Sequence, residues 1–161
     1  MRGMHAQRVD AAPPPPMLRP GNATRRILLA TDLSPASDGA TRQAIDLARD
    51  LRATLLVVSV IDPDLRGAAG SGFERMDQRR AAREQAAHAV VVRGRQAGIP
   101  VNFLIWEGEP GTSIVEAAAA EGADLIVVGR HGRGRVGRFM LGSVSDHVIR
   151  NAAAPVLVVR P

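Results

Sequence analysis

Five short aliphatic runs, separated by longer stretches of helical periodicity, constrain this chain more than any other feature. The runs occupy residues 27–30, 55–61, 101–106, 125–128 and 156–159. Each has strand length, and most are apolar enough to be buried on both faces, as the strands of a parallel sheet covered by helices must be. Between the first two, Ser34 followed by Pro35 predicts a helix start, the hydroxyl capping a free N–H and Pro fitting the first turn. Ala44, Leu47, Ala48 and Leu51 are its expected apolar face. A second helix is expected over 73–97, stopped by Gly98 and Pro100, with Ala82, Ala86, Ala89 and Val90 facing inward. A third spans 112–121, with Ile114, Ala117 and Ala118 inward, and a fourth 142–151. No internal repeat is present. In open parallel sheets, ligands sit beyond the carboxyl ends of the strands where strand order reverses. Those ends are Thr31-Asp32, Val60-Ile61, Trp106-Glu107 and Gly129.

Composition narrows the chemistry. With 161 residues the chain is expected to form one domain. Cysteine is absent, which removes disulfides, thiolate metal sites and a cysteine nucleophile, and fits a reducing, cytoplasmic compartment. All 21 basic residues are Arg, so Schiff-base chemistry and a Lys-bearing phosphate loop are excluded. The aromatics are Phe73, Phe103, Trp106 and Phe139, too few for a base-stacking platform. Of the net charge of +5, residues 1–24 carry +2 (Arg2, Arg8 and Arg19 against Asp10), the one dense cluster elsewhere is Arg130, Arg133, Arg135 and Arg138, and one basic loop argues against a nucleic-acid partner. No run approaches the roughly 18 apolar residues of a membrane span, and with a polar start followed by prolines no secretory signal is expected. Pro13 to Pro16, Pro20 and Gly21 predict a disordered, Pro-rich tail over 1–24, ahead of a folded domain over 25–161.

Residues 129–147 carry the most information. Glycines let loop N–H groups approach an anion, and Gly142-Ser143 opens a helix whose N-terminus attracts negative charge. Together these describe a phosphate cradle. Gly132 to Gly137 spells GxGxxG, yet it follows the fourth strand, and no acid stands about 20 residues on, so a dinucleotide fingerprint is disfavoured. The Walker spacing from Gly137 to Ser143 lacks its Lys.

Gly129, two residues, Gly132, nine residues, Gly142 and then Ser143 form a pattern that resembles the nucleotide signature of the ATP-binding universal stress proteins. Further landmarks agree in order and spacing: Ala30-Thr31-Asp32 with Ser34, Val60-Ile61-Asp62, Gly108-Glu109-Pro110, Gly142-Ser143-Val144-Ser145, and Ala154-Pro155 leading into the last strand. The resemblance extends over 25–161. It goes with a single open five-stranded parallel sheet of Rossmann-like α/β class, helices on both faces and strand order 3-2-1-4-5. It implies that Asp32 and Val60 line the adenosine end, with Val60 offering backbone groups to the base, and Ala30 and Thr31 are expected in the same nucleotide site. Gly129, Gly132, Gly142 and Ser143 would hold ribose and phosphates, helped by Val144 and Ser145, and His131 and Arg133 are counted among the expected nucleotide-site residues. ATP, with Mg²⁺, is the implied ligand, and a homodimer through Val156–Val159 the implied assembly. Gly134 and Gly137 depart from the pattern by adding flexibility, and a phosphate role for Arg133, Arg135 or Arg138 is an inference from charge.

Plainer roles compete. Asp32 is suited to an Asx turn and Ser143 to a helix cap, and Trp106 to packing at a strand end. The four histidines lack metal-ligand spacing. No paired carboxylates and no serine-histidine pair mark a catalytic centre. A nucleotide-responsive stress or regulatory module is therefore expected, with slow ATP hydrolysis, or membership of the branch that does not bind ATP, as alternatives.

Overall fold

A computed structural model describes residues 25–64, 72–130 and 142–160, the side chains of 72–75 excepted. The tail over 1–24, and with it the expected disorder, lies outside the described residues. Five strands form one sheet: β1 (Arg26–Ala30), β2 (Thr54–Ile61), β3 (Val101–Glu107), β4 (Leu125–Gly129) and β5 (Val156–Val159). All neighbours are parallel and the order is β3-β2-β1-β4-β5, as expected. The chain therefore winds outward from β1 to one side through β2 and β3, then returns to its other side for β4 and β5. The reversal leaves a crevice above the carboxyl ends of β1 and β4.

Residue alternation along each strand sorts the core into two layers. Ile27, Leu29, Leu55, Val57, Phe103 and Ile105 pack beneath α1 (Asp38–Asp50) and α2 (Gly72–Gln96). Leu28, Leu56, Val58, Leu104, Ile126 and Val128 pack beneath α3 (Pro110–Ala120) and α4 (Ser143–Asn151). Burial of such a side chain contributes about 1.5–3 kcal/mol. Trp106 is partly buried against the second layer, in the packing role expected of it.

Three local expectations need correction. Ser34 takes the cap position of a 3-10 turn at Pro35–Ser37 with Pro35 in its first turn, as expected, but its Oγ caps no N–H: it donates to Asp32 Oδ1 at 2.6 Å, and α1 begins only at Asp38. Leu51 is 45% exposed, because α1 ends at Asp50 and its inner face is Ala40, Thr41, Ala44, Ile45 and Ala48. On α2 the buried stripe is Ala87, Val90, Val91 and Gly94, while Ala82 and Ala89 are exposed. Alanine marks either face of a helix equally well, so the phase assigned from it was rotated.

Two helix starts are set by identifiable groups. Glu109 accepts from the N–H groups of Gly111 (2.9 Å) and Thr112 (2.7 Å), so α3 begins at Pro110, two residues before its expected start. Gly142 occupies the cap position of α4 and supplies no capping side chain. Ser143 is thus the first helical residue and not its cap.

Candidate functional site

Beyond the carboxyl ends of β1, β2 and β4 lies a cleft of about 480 Å³, within the usual range for small-molecule sites. The structure brings Ala30, Thr31, Asp32, Val60, Gly129, Gly142, Ser143, Val144 and Ser145 together in its walls. His131, Gly132 and Arg133 lie outside the described residues, as do Arg135 and Arg138. The sequence reading missed other lining residues, among them Ser37, Arg79, Arg83 and Ile114, and assigned no role in a site to Asp62 or Glu109. Arg79, Ala82 and Arg83 share one face of α2 at helical spacing. That pattern was present in the sequence, but nothing local marked it as a cleft wall.

One end of the cleft is built mainly of backbone. The first intrahelical bond of α4 runs from Asp146 N–H to Gly142 O at 2.9 Å, so the N–H groups of Ser143, Val144 and Ser145 precede the ladder. Ser145 Oγ donates to Gly129 O at 2.8 Å and locks the first turn of α4 onto the end of β4. Gly142 N–H donates to Arg130 O at 3.0 Å, and Arg130 N–H to Val159 O at 2.9 Å. The helix start is thereby held rigidly against the sheet, with its positive dipole end at the cleft.

The other end is built from side chains. Thr31 Oγ1 accepts from Leu33 N–H at 2.9 Å and donates to Ser37 Oγ at 2.8 Å. Asp32 Oδ1 accepts from Ser34 N–H at 3.0 Å and from Ser34 Oγ at 2.6 Å, completing an Asx turn. Leu33 between them has φ +60°, a left-handed conformation that a branched side chain adopts only under constraint. From α2, Arg83 Nη1 donates to Asp32 O and, at 2.8 Å, to Ser59 Oγ. Burial, the largest influence on the Asp32 carboxyl, pushes its pKa up. The Ser34 hydroxyl and N–H, the Ser37 hydroxyl and the Arg83 charge together outweigh it and hold the carboxyl below its ordinary value. Glu109 is held low chiefly by the Thr112 N–H, with further help from the Thr112 hydroxyl, the Gly111 N–H and the charge of His147 against a contribution from burial.

The arrangement is a cleft with hydrogen-bond donors and positive potential at one end, and an ionised, rigidly held carboxylate at the other. The sequence model of the universal stress protein family matches residues 23–160. The chain belongs to the universal stress protein family. A relative in Methanocaldococcus jannaschii, also a universal stress protein, is 33% identical over 142 residues, covering 86% of this chain and 84% of its own length. Among solved structures, a universal stress protein from Lactobacillus plantarum shares the fold with a TM-score of 0.77 at 24% identity, covering 87% of this chain and 100% of its own. A universal stress protein solved in complex with cAMP has a TM-score of 0.65 and 26% identity, over 86% of this chain and 98% of that one. One from Archaeoglobus fulgidus, in complex with dAMP, has a TM-score of 0.63 and 25% identity, over 84% and 98%. No helix among the described residues of this universal stress protein is long and apolar enough to cross a membrane.

Proposed function

We propose that this universal stress protein binds adenine nucleotide, ATP with Mg²⁺ foremost, and that occupancy of the cleft shifts its conformation or assembly in a stress or regulatory response. The observation that carries the reading is the uncapped start of α4: Gly142 leaves the first N–H groups without a side-chain acceptor, and they border the cleft. Phosphate is the natural acceptor for such a set. The relatives solved with cAMP and dAMP support adenine nucleotide as the class.

In this reading Asp32 and the backbone of Val60 meet the nucleoside, while Gly129, Gly142, Ser143, Val144 and Ser145 face ribose and phosphates. The Ser145 hydroxyl already serves Gly129, so its contribution is its N–H. Mg²⁺ would be held chiefly by the nucleotide's own phosphates, since among the described residues no group of three or more His, Asp or Glu side chains could hold a metal ion. Calorimetry on protein freed of co-purifying nucleotide tests the proposal: ATP and AMP should bind with 1:1 stoichiometry. Absence of heat with both, in a folded sample, would refute it.

Assembly belongs to the same proposal. Strand β5 is an edge of the sheet, with Leu157 37% exposed, and a second copy pairing along it would cover that edge.

A further inference from the structure

The peptide group joining Asp32 to Leu33 is held at both of its polar atoms. Its N–H donates to Thr31 Oγ1 at 2.9 Å, and its carbonyl accepts from Arg83 Nη1. The sheet does not reach this peptide: the last ladder bond of β1 is Thr31 N–H to Val58 O at 3.0 Å. Rotation of the same peptide would change φ of Leu33, release it from its left-handed conformation, and alter the turn that brings the Ser34 N–H and hydroxyl onto the Asp32 carboxylate. Arg83 sits 51 residues away in sequence and reaches the site from α2, also binding Ser59 on β2.

We infer that Arg83 is a positioning residue for the nucleoside end of the cleft: by clamping the Asp32–Leu33 peptide against β2 it fixes the direction of the Asp32 carboxylate. The inference rests on the nucleotide reading of the cleft. Its physical basis is that one nitrogen of a permanently charged guanidinium, Nη1, donates both to the peptide after β1 and to Ser59 on β2, and so joins the ends of the two strands as a single unit. The clamp leaves the far end of the cleft untouched, because Gly129 and α4 are held by their own hydrogen bonds. The other charged groups in the described cleft walls are Arg79 from α2, Asp62 after β2 and Glu109 before α3.

The test uses the full chain, with Arg83→Met, which keeps much of the length and loses the charged donor, and Arg83→Lys, which keeps the charge. Adenosine and inorganic triphosphate serve as separate calorimetric probes, and the Asp32 carboxyl is titrated by NMR without ligand. Adenosine affinity should fall roughly tenfold in Arg83→Met, the scale of one charge-assisted hydrogen bond, and recover in part in Arg83→Lys. Triphosphate affinity should hold, and the Asp32 titration should move to higher pH in Arg83→Met as the neighbouring positive charge is lost. Equal losses for both probes, or an Asp32 titration and an adenosine affinity that do not move, would overturn the inference. A parent protein that binds neither probe would overturn the nucleotide reading itself, and the positioning role with it. That outcome is distinct from a parent that binds normally and variants that match it.

Discussion

Replacing Gly142 with Asp should move stability and ligand affinity in opposite directions. Gly142 caps α4 at φ −63° and ψ 152°, a conformation open to any residue. Asp is among the best capping residues, and its carboxylate would fold back over the N–H groups of Val144 and Ser145. Gain of a cap and a favourable charge at the helix start should stabilise the protein by about 0.5–1 kcal/mol. The same carboxylate occupies the position assigned to phosphate. Two like unit charges about 4 Å apart, at an effective dielectric near 20, repel by about 4 kcal/mol, close to a thousandfold in affinity. Urea denaturation should therefore show a raised midpoint, while calorimetry shows ATP binding reduced by roughly that factor and adenosine binding little changed. Gly142→Asn, which caps without charge, should lose much less. A Gly142→Asp protein that binds ATP as tightly as its parent would refute the assignment of this helix start to phosphate, and a destabilised one would refute the cap geometry.

Gly94 lies buried inside α2, and a Cβ there would fall on Val101 Cγ2; Gly94→Ala should thus lose about 1–2 kcal/mol net despite a gain of about 1 kcal/mol in helix propensity, and a higher urea midpoint would contradict this. Glu109 has a lowered folded pKa, so its contribution is complete at neutral pH and is lost as pH falls through the ordinary carboxylate range toward the folded value; Glu109→Gln should flatten the acid limb of stability in denaturation series, and an unchanged limb would refute the cap's electrostatic role. On β5, Pro155 and Val159 turn their carbonyls to β4, which places the Val158 N–H on the open edge; Val158→Pro should convert a dimer to monomers or aggregates by light scattering, and unaltered dimer mass or a monomeric parent would count against edge pairing. ATP turnover should lie well below the roughly 1–10³ s⁻¹ typical of enzymes; turnover within that range, lost on His131→Ala, would establish an enzyme instead.

The fold was legible because its period is strong: five aliphatic runs fell on the five strands, and the family resemblance supplied their order. Glycine made one end of the cleft legible as well. A backbone that supplies no capping side chain at a helix start facing a cleft leaves a visible trace at Gly129, Gly142 and Ser143. The side-chain end left less. Asp32 stands at a strand end, where the sequence draws attention to it, but its partner Arg83 is one arginine among 21, and its distance of 51 residues carries no local signal. The α2 stripe was misphased for a related reason. Ala82, Ala86 and Ala89 are small enough for any face, whereas Gly94, whose lack of a side chain is demanded by Val101, went unused as a marker of the buried side. The Glu109 cap was overlooked because Glu is a weaker cap signal than Ser, Thr, Asp or Asn.

The three acids of the cleft bear on whether such a site holds its ligand or transforms it. Asp32 accepts from Ser34, Asp62 from Asp64 at 2.8 Å, and Glu109 from Gly111 and Thr112. Each carboxylate thus shapes the loop that carries it. A general base needs a pKa near the working pH and an oxygen aimed at the proton to be removed. Asp32 and Glu109 are shifted the other way, which makes them weak bases and dependable negative charges. Rigid loops, fixed charges and a helix start anchored to its strand favour geometric complementarity to a bound ground state. On the proposed nucleotide reading, these three carboxylates favour holding the ligand over transforming it, with binding energy going into a preference for one conformation of the surrounding loops, as a switch requires.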